Sequence, residues 1–297
     1  REALRAWVPE ALETVRLGLD LLARHCAEHA DEVRDFDRFE TLYLGTVGPE
    51  GEHELYDGRL RFVDTRGGIL ADQLDPARYL DWIAEQPVEW SYLKYPYYRP
   101  LGPERGVYRV GPLARLNVAS RMKTRLAQAE FERFRALAEG GAVHGSFRYH
   151  QARLIETLGC VEEIELLLDD PRITSEETLA QARRNQAEGV GCSESPRGTL
   201  FHHYVTDTGG LLTGVNLLIA TGQNNPAMNR SILEVARRHV RGDEISEEAL
   251  NRVEGAIRCY DPCLSCSTHA VGSMPLIIEL RNARGDLTGC WARGTGG

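Results

Sequence analysis

The most constraining feature of the sequence is a set of apolar residues near its start that share one face only if the chain is helical. They recur at three- and four-residue spacing and are Leu4, Val8, Leu12, Val15, Leu19 and Leu22. This spacing predicts an amphipathic helix over about residues 9–34, with Pro9 in its first turn. The same period predicts further helices over about residues 119–139, 149–168, 227–240 and 246–258. Because such helices must bury their apolar faces, we expect a predominantly helical body.

Short strand-like segments lie between the predicted helices. Residues 41–64 alternate around Gly-rich and Asp-Gly turns, and residues 198–220 alternate around a turn at 207–210. Both patterns predict β-hairpins, and the segment MPLIIEL at 274–280 predicts a last strand. The sequence has no internal repeat and no sharp break in composition. We therefore expect one α+β unit, a helical body with peripheral β-hairpins.

Three further segments carry weaker signals. Asp75 and Pro76 should begin a short helix that ends near Gln86, and Thr174 with Glu177 forms a capping-box pattern for a helix to about residue 187. Residues 90–112 contain five tyrosines and four prolines, which argue against a regular helix or a central strand. We expect this last segment to be an ordered loop anchored by its aromatic rings.

Composition excludes several classes of function. The chain has 297 residues, of which 42% are apolar, enough to bury a sizeable core. Its net charge of −9 argues against nucleic acid or an anionic membrane as the main partner. No apolar run approaches the roughly 20 residues that a membrane-spanning helix needs, and no targeting segment is visible. Seven irregularly spaced cysteines indicate a reducing compartment, so we expect a cytoplasmic protein.

The segment DPCLSCSTH at 261–269 carries the most chemical information. The two-residue gap between Cys263 and Cys266 lets two thiolates converge on one metal, and His269 adds an imidazole. Thiolates favour nickel, copper, zinc or iron–sulfur clusters over magnesium or calcium. Asp261 and Pro262 should end the preceding helix and fix the entry to this segment.

Several interpretations fit this cysteine spacing. A structural zinc site needs a fourth ligand, usually from a second close pair, and the sequence has none. A redox dithiol lies at the start of a helix, whereas this pair follows one. With Cys259 the pair matches the C-x3-C-x2-C iron–sulfur spacing of radical enzymes, but that loop normally precedes a large barrel. Buried cysteines without a ligand role, and a metal site completed by distant ligands, both stay open.

The same segment resembles the Asp-Pro-Cys-x-x-Cys-x-x-His signature of the nickel–iron hydrogenase large subunit. Three more segments resemble this family in the same order: GVYRVGPLARLN at 106–117, EGVGCSESPRGTLFHH at 188–203 and ATGQNNP at 220–226. The similarity is strongest to the soluble group that includes NAD-reducing and heterodisulfide-linked hydrogenases. It implies a hydrogenase large-subunit fold and reversible cleavage of H2 into protons and electrons.

One part of the family pattern is absent. The family's other cysteine pair lies in an Arg-x-Cys-Gly-x-Cys context, and neither Cys26 nor Cys160 has a partner two residues away. Since the resemblance implies four thiolates at the metal centre, this chain holds only half of them and should be inactive alone. Because the chain begins with Arg1, we expect a missing N-terminal part that also carries an acidic magnesium ligand and a proton-relay glutamate.

The resemblance assigns metal ligands to individual residues. It implies that Cys263 is a terminal nickel ligand and that Cys266 bridges nickel and iron. It gives the iron carbon monoxide and cyanide as further ligands. It implies that His269 and the backbone carbonyl of Leu217 hold a nearby magnesium (or iron) ion. Imidazole is not the ligand that magnesium prefers, so this assignment depends on the resemblance alone.

The resemblance also implies how the diatomic ligands are held. The residues around them would be Pro196, Arg197, Ala220 and Thr221. Arg197 would be a charged donor above the site, and Thr221 would donate its hydroxyl to a cyanide. The proton from H2 would go to a base, either the Cys263 thiolate or Arg197, and the high basicity of guanidinium favours the thiolate. We expect Glu194 to form a hydrogen bond near Arg197.

Partners and processing follow from the same resemblance. It implies an iron–sulfur small subunit, with diaphorase or heterodisulfide reductase subunits as further partners. It implies a maturation endopeptidase that cuts between His269 and Ala270. Residues 1–269 would then be the C-terminal portion of the large-subunit domain, and residues 270–297 a cleavable extension. Two rival classes are a scaffold related to the quinone-site subunit of respiratory complex I, which lacks the nickel-binding cysteines, and a zinc or iron–sulfur module.

Overall fold

Helices and short strands alternate along the chain. The computed structural model describes residues 1–138, 140–179, 186–240, 246–263 and 276–293. The helices in these ranges are α1 (Glu2–Glu28), α2 (Ala30–Asp35), α3 (Gly102–Arg105), α4 (Pro112–Val118), α5 (Arg125–Arg135), α6 (Arg148–Leu167), α7 (Ala220–His239) and α8 (Glu247–Cys259). None of the described helices is both long and apolar enough to cross a membrane.

The strands form four separate sheets. They are β1 (Leu42–Val47), β2 (Arg59–Val63), β3 (Ile69–Leu74), β4 (Ile83–Val88), β5 (Ser91–Tyr98), β6 (Tyr108–Arg109), β7 (Glu188–Ser195), β8 (Gly198–Thr206), β9 (Leu212–Leu218), β10 (Leu276–Arg281) and β11 (Leu287–Arg293). The strand orders are β3-β2-β1-β6, β4-β5, β7-β8-β9 and β10-β11, and β1 with β6 is the parallel pair. An α+β architecture with a helical body, as the sequence predicts, is confirmed.

Two apolar cores lie on opposite sides of strand β1. Side chains of β1 alternate, so Tyr43 packs with helices α4 to α8 while Leu44 packs with Phe62 and Phe201 of the sheets. A third, smaller cluster joins α1 to α6, where Val8 and Val15 are buried against residues such as Leu158. The middle of the apolar stripe near the start of the sequence is therefore buried, whereas Leu4 at its beginning is exposed.

The predicted first helix is confirmed, but its proline does not lie in the first turn as the sequence predicted. Helix α1 begins at Glu2, so Pro9 lies inside the helix and not in its first turn. The helix predicted at 119–139, by contrast, begins later than expected, at Arg125. Residues before it bond to a distant turn instead, since the Ser120 amide donates to the Gly51 carbonyl at 2.7 Å. Tertiary hydrogen bonds here outweigh the local helical pattern.

The prediction of a loop over residues 90–112 is wrong in part. Residues Ser91–Tyr98 form β5, which pairs with β4 in a two-stranded antiparallel sheet. Both strands of such a sheet are edge strands, so Pro96 is tolerated although it lacks an amide hydrogen. The short helix that Asp75 and Pro76 begin ends at Asp81, and β4 follows where the sequence predicted more helix.

The capping-box helix predicted from Thr174 is not present in the described residues. Pro171–Thr174 form a short 3-10 turn, and residues 175–179 are not helical. The Ser175 hydroxyl accepts the Glu177 amide at 3.2 Å, a local bond that competes with helix formation. The two hairpins at 41–64 and 198–220 are confirmed. The strand predicted within 274–280 is present as β10, but it is not the last one, because β11 follows and pairs with it.

Candidate metal site

Three chain segments meet where the sequence predicts a metal site. The first is the two-residue turn formed by Pro196 and Arg197 between β7 and β8. The second is the start of α7, which begins at Ala220 directly after β9. The third is the segment 261–263, which leaves α8. Strand, helix and loop ends therefore bring together side chains that lie far apart in sequence.

Arg197 and Asp261 join the first and third segments. The Arg197 Nε atom donates to the Asp261 carbonyl at 2.6 Å, and Nη2 donates to the Asp261 carboxylate at 3.3 Å. Asp261 has a φ of +51°, a conformation that costs a residue with a β-carbon free energy. The guanidinium thus holds the backbone in its turn two residues before Cys263.

Thr221 joins the second and third segments. Its buried Oγ1 atom accepts the backbone amide of Cys263 at 3.1 Å. A hydroxyl that accepts through a lone pair keeps its hydrogen available to donate elsewhere. Cys263 itself is half-buried, and its segment lies between Arg197 on one side and Thr221 on the other.

The remaining residues of the predicted site occupy three kinds of position. Ala220 is buried beside Thr221 at the start of α7, and Pro196 is exposed at the tip of its turn. Leu217 lies half-buried in β9, opposite His202 of β8. Cys266, His269 and Ala270 lie outside the described residues.

The donor chemistry of the described residues suits a thiolate-held metal with small polar ligands. Cys263 supplies a soft sulfur, Thr221 a hydroxyl and Arg197 a charged hydrogen-bond donor. Within the described part of the chain, no group of three histidine, cysteine or acidic side chains could hold a metal by itself. A metal bound at Cys263 therefore needs ligands beyond that part.

Cys259 does not extend this donor set. Its side chain is buried, and burial, with the nearby Asp37 carboxylate, raises the pKa of the Cys259 thiol to about 12. It packs in the apolar core that helices α4 to α8 share. The iron–sulfur interpretation, which required Cys259 as a ligand, stays a prediction.

Glu194 forms its hydrogen bonds close to Arg197 in the chain, as expected, but its partners are other residues than Arg197 itself. Its fully buried carboxylate accepts from Arg115 at 2.8 Å, from the Thr46 amide at 3.0 Å and from the Thr199 hydroxyl at 2.8 Å. A buried carboxylate on a strand requires a cation, and Arg115 of the GPLAR segment provides it. The motifs containing these two residues were recognised in the sequence, but the pairing was not.

Arg115 also binds a second buried carboxylate. Its Nε and Nη2 atoms donate to the two oxygens of Glu156, both at 2.7 Å, and His53 contacts the same carboxylate at 2.8 Å. Burial opposes ionisation of Glu156, but the charge and hydrogen bonds of Arg115, with His53, lower its pKa to about 2. Burial likewise opposes the Arg115 cation, and the two glutamates raise the pKa of Arg115 overall.

Two glycines allow the turn of Pro196 and Arg197 to pack on the start of α4. A β-carbon at Gly111 would lie 2.6 Å from the Arg197 carbonyl oxygen, and one at Gly198 would lie 2.3 Å from Val110. Both have positive φ, +94° and +139°, which disfavours other residues. The GPLAR and SPRG segments are thus in direct backbone contact.

Two functional residues were not identified from the sequence. Asp261 was interpreted only as a helix stop, and Arg115 only as part of a resembling segment. A signal for Asp261 was its place between a helix end and a proline, where a non-glycine residue is driven out of helical geometry. No comparable local signal exists for Arg115, because its partners come from α6 and β7.

The chain belongs to the nickel-dependent hydrogenase family. The family's sequence model matches residues 50–269, which contain the three converging segments. The chain is 40% identical, over 283 residues, to the beta subunit of the NAD-reducing hydrogenase HoxS of Cupriavidus necator. It is 39% identical, over 280 residues, to one subunit of the F420-non-reducing hydrogenase of Methanothermobacter thermautotrophicus.

Solved structures agree with this membership. An NAD+-reducing [NiFe]-hydrogenase in its H2-reduced state matches with a TM-score of 0.85 and 40% identity over 91% of this chain. A [NiFeSe] hydrogenase of Desulfovibrio vulgaris Hildenborough, at 20% identity and a TM-score of 0.62, shares the fold. The two sequence matches cover 94% and 93% of this chain but 58% of each relative, and the first structural match covers 59% of the solved chain.

Proposed function

We propose that this chain is part of the catalytic large subunit of a nickel–iron hydrogenase, which cleaves H2 reversibly into protons and electrons. The observation that carries the proposal is the placement of the Cys263 segment between Arg197 and Thr221, by hydrogen bonds of 2.6 Å and 3.1 Å. Segment 261–263 thereby joins a soft ligand, Cys263, to a cation through Asp261 and to a hydroxyl through its own backbone amide. Family membership and the Cys263–Cys266 spacing support the same activity.

The metal centre would be held by thiolates from two parts of the protein. Cys263 would bind nickel, and Cys266 would bind both nickel and iron. The 297 residues contain one Cys-x-x-Cys pair, so two further thiolates have to come from outside this sequence. When bound, the bimetallic centre supplies the Lewis acidity that polarises H2.

The residues of this chain have separate roles around that centre. The Cys263 sulfur accepts the proton released from H2, because guanidinium groups stay protonated in proteins and Arg197 can only donate. Thr221 and Arg197 would donate hydrogen bonds to the cyanide ligands, and Pro196 and the buried Ala220 would line the pocket for carbon monoxide. His269 and the Leu217 carbonyl would hold the nearby magnesium (or iron) ion.

The proposed enzyme needs partners for its electrons. Once the pair at 263 and 266 is used, the five remaining cysteines include no Cys-x-x-Cys pair for a relay cluster, so we propose that an iron–sulfur small subunit receives the electrons. The relatives are named as subunits of NAD-reducing and F420-non-reducing hydrogenases. Diaphorase or heterodisulfide reductase subunits would be the further partners, and the cytoplasm the compartment.

We also propose that residues 270–297 are removed during maturation. The described part of this stretch forms its own antiparallel hairpin, β10 with β11, that shares no sheet with the other described strands. A cut between His269 and Ala270 would separate this hairpin from the metal site. Intact-mass measurement of the nickel-loaded protein should show a chain ending at His269, and a nickel-loaded chain still ending at Gly297 would contradict processing.

Metal analysis of the full-length protein distinguishes the proposed function from its rivals. We expect nickel and iron in near-equal amounts in the purified protein, together with H2-dependent reduction of a viologen dye. The matched variants are Cys263→Ser, which should lose nickel, and Cys26→Ser on α1, which should not. Zinc without nickel would instead indicate a zinc module, and a protein with no metal at these thiols would indicate a scaffold.

A further inference from the structure

The guanidinium of Arg115 uses all its hydrogen-bonding capacity in one buried site. Its five N–H groups all donate. Nε donates to Glu156, and Nη1 donates to Glu194 and to the Ser195 carbonyl. Nη2 donates to Glu156 and to the Pro196 carbonyl. Its side chain is 3% exposed. Two of the five bonds go to the backbone of the turn that carries Arg197.

We propose that Arg115 is a positioning residue for Arg197, an inference that rests on the proposed hydrogenase function of the site. The bonds to the Ser195 and Pro196 carbonyls are 2.9 Å and 3.4 Å long, and these two residues directly precede Arg197. Arg115 thereby fixes the backbone from which the Arg197 side chain extends toward Asp261. It touches neither Asp261 nor Cys263 in the described contacts.

The buried group that holds Arg115 in place is rigid because all three of its side chains, Arg115, Glu156 and Glu194, are charged. Glu156 comes from α6 and Glu194 from β7, and their side chains are 8% and 0% exposed. Arg115 itself comes from α4, so three elements share one ion network. A buried network of this kind holds its members in one geometry, since moving any of them leaves a charge without a partner.

The turn has other supports, so loss of Arg115 should loosen it without unfolding it. The Asn224 side chain donates to the Arg197 carbonyl at 3.4 Å, and the Ser195 hydroxyl donates to the Gly198 carbonyl at 2.8 Å. Gly111 also packs directly against the Arg197 carbonyl. The specific contribution of Arg115 is therefore the orientation of the turn, and its effect on turnover should pass through Arg197.

A double-mutant cycle in the nickel-loaded full-length protein tests this coupling. The variants are Arg115→Lys, Arg197→Lys and the double variant, with Arg133→Lys, an exposed residue paired with Glu130, as the control. A lysine has three donors and cannot replace five, so Arg115→Lys should lower turnover at least tenfold at unchanged nickel content. If Arg115 acts through Arg197, the double variant should be no slower than Arg197→Lys alone, within about twofold.

A second readout does not depend on hydrogenase activity. Amide hydrogen exchange at Arg197 and Gly198 should be faster in Arg115→Lys than in the parent or in Arg133→Lys. Glu194→Gln, which removes one charge and keeps the side-chain shape, should give an intermediate acceleration and covers the case in which Arg115→Lys does not fold. Turnover losses that multiply in the double variant, or exchange unchanged in both network variants, would overturn the proposal. An inactive parent protein would refute the proposed function, while the exchange rates would still test the positioning.

Discussion

At the scale of single residues, the site depends on two arginines with different surroundings. The side chain of Arg197 is 36% exposed and, among the described residues, bonds to Asp261 through two atoms. Arg115 is almost fully buried and bonds to two carboxylates and two carbonyls. The first can reach a bound ligand, whereas the second can act only through the protein.

The planar shape of Arg197 leads to the first prediction. In Arg197→Lys, an ammonium group cannot serve both the carbonyl and the carboxylate of Asp261 as the guanidinium does. We expect nickel content to stay at the parent level and H2-dependent dye reduction to fall by more than tenfold. Arg133→Lys should behave like the parent. Unchanged turnover in a nickel-replete Arg197→Lys protein would remove Arg197 from the mechanism.

The lowered pKa of Glu156 leads to a prediction about acid stability. Its pKa falls from 4.5 to about 2 on folding, because Arg115 and His53 outweigh the cost of burial. A carboxyl with a lower pKa in the folded state stabilises above pH 4.5, here by on the order of 3 kcal/mol, and this contribution is lost as pH falls toward 2. Glu156→Gln should therefore destabilise the full-length protein by about 3–5 kcal/mol at neutral pH.

Chemical denaturation at several pH values measures this effect. The difference in unfolding free energy between parent and Glu156→Gln should shrink between pH 5 and pH 2. Glu50→Gln serves as the control, because Glu50 pairs with Arg121 at the surface and is 77% exposed, where such pairs contribute little. A difference that is the same at pH 7 and pH 3 would contradict the buried ion pair.

Residue identities of the site were largely predictable, but their partners were not. The segments with Arg197, Thr221 and Cys263 were found because each resembles a short motif of the hydrogenase family. The pairing of Arg115 with Glu194 and Glu156 joins residues 79 and 41 positions apart, and no local pattern encodes it. Long-range hydrogen bonds of buried charges are thus the part of the site that required the structure.

At the scale of elements, the close contact between the start of α4 and the β7–β8 turn is decisive. Gly111 and Gly102 have similar backbone angles, φ +94° and ψ −166° against φ +72° and ψ 173°. Their surroundings differ, since a β-carbon at Gly111 would meet the Arg197 carbonyl at 2.6 Å and one at Gly102 would meet nothing within 4 Å. Substitutions at the two positions therefore distinguish the cost of the backbone conformation from the cost of the steric contact.

The matched alanine variants give a prediction for this contact. Gly102→Ala should lower the unfolding free energy by about 1–3 kcal/mol, the cost of the backbone conformation alone, and should leave turnover unchanged. Gly111→Ala should cost more than this and should also slow H2-dependent dye reduction, because the turn that carries Arg197 has to move. Thermal unfolding and turnover of the two full-length variants measure both effects. Equal losses of stability and turnover in the two variants would contradict the contact between Gly111 and the Arg197 carbonyl.

Element prediction succeeded where one face of the element is apolar and failed where tertiary bonds intervene. Helix α6, predicted at 149–168 and found at Arg148–Leu167, buries Ala152, Ile155 and Leu158, which recur at three-residue spacing. Strand β5 was missed because its tyrosines and Pro96 look like a loop, yet pairing with β4 makes the extended form stable. Strand β7 was not predicted because its glycines are untypical of a strand. In the structure all eight of its residues pair with β8.

At the scale of the whole molecule, the chain spans 58% of the length of each of two related hydrogenase subunits, those of Cupriavidus necator and Methanothermobacter thermautotrophicus. Its described residues bring one cysteine-bearing segment to Arg197 and Thr221, and its sequence contains one Cys-x-x-Cys pair. The four-thiolate centre that we propose would take its second pair from outside these 297 residues. Activity therefore has to be measured on the full-length protein.

Isotope exchange tests the central claim most directly, because it needs neither an electron acceptor nor a second polypeptide to receive electrons. A site that splits H2 heterolytically converts D2 in ordinary water into HD. We predict HD formation by the nickel-loaded full-length protein and by its Cys26→Ser variant, and none by Cys263→Ser, since a serine oxygen is a poor ligand for a soft metal. HD formation by Cys263→Ser at the parent rate, or none by a nickel-replete parent protein, would contradict the account.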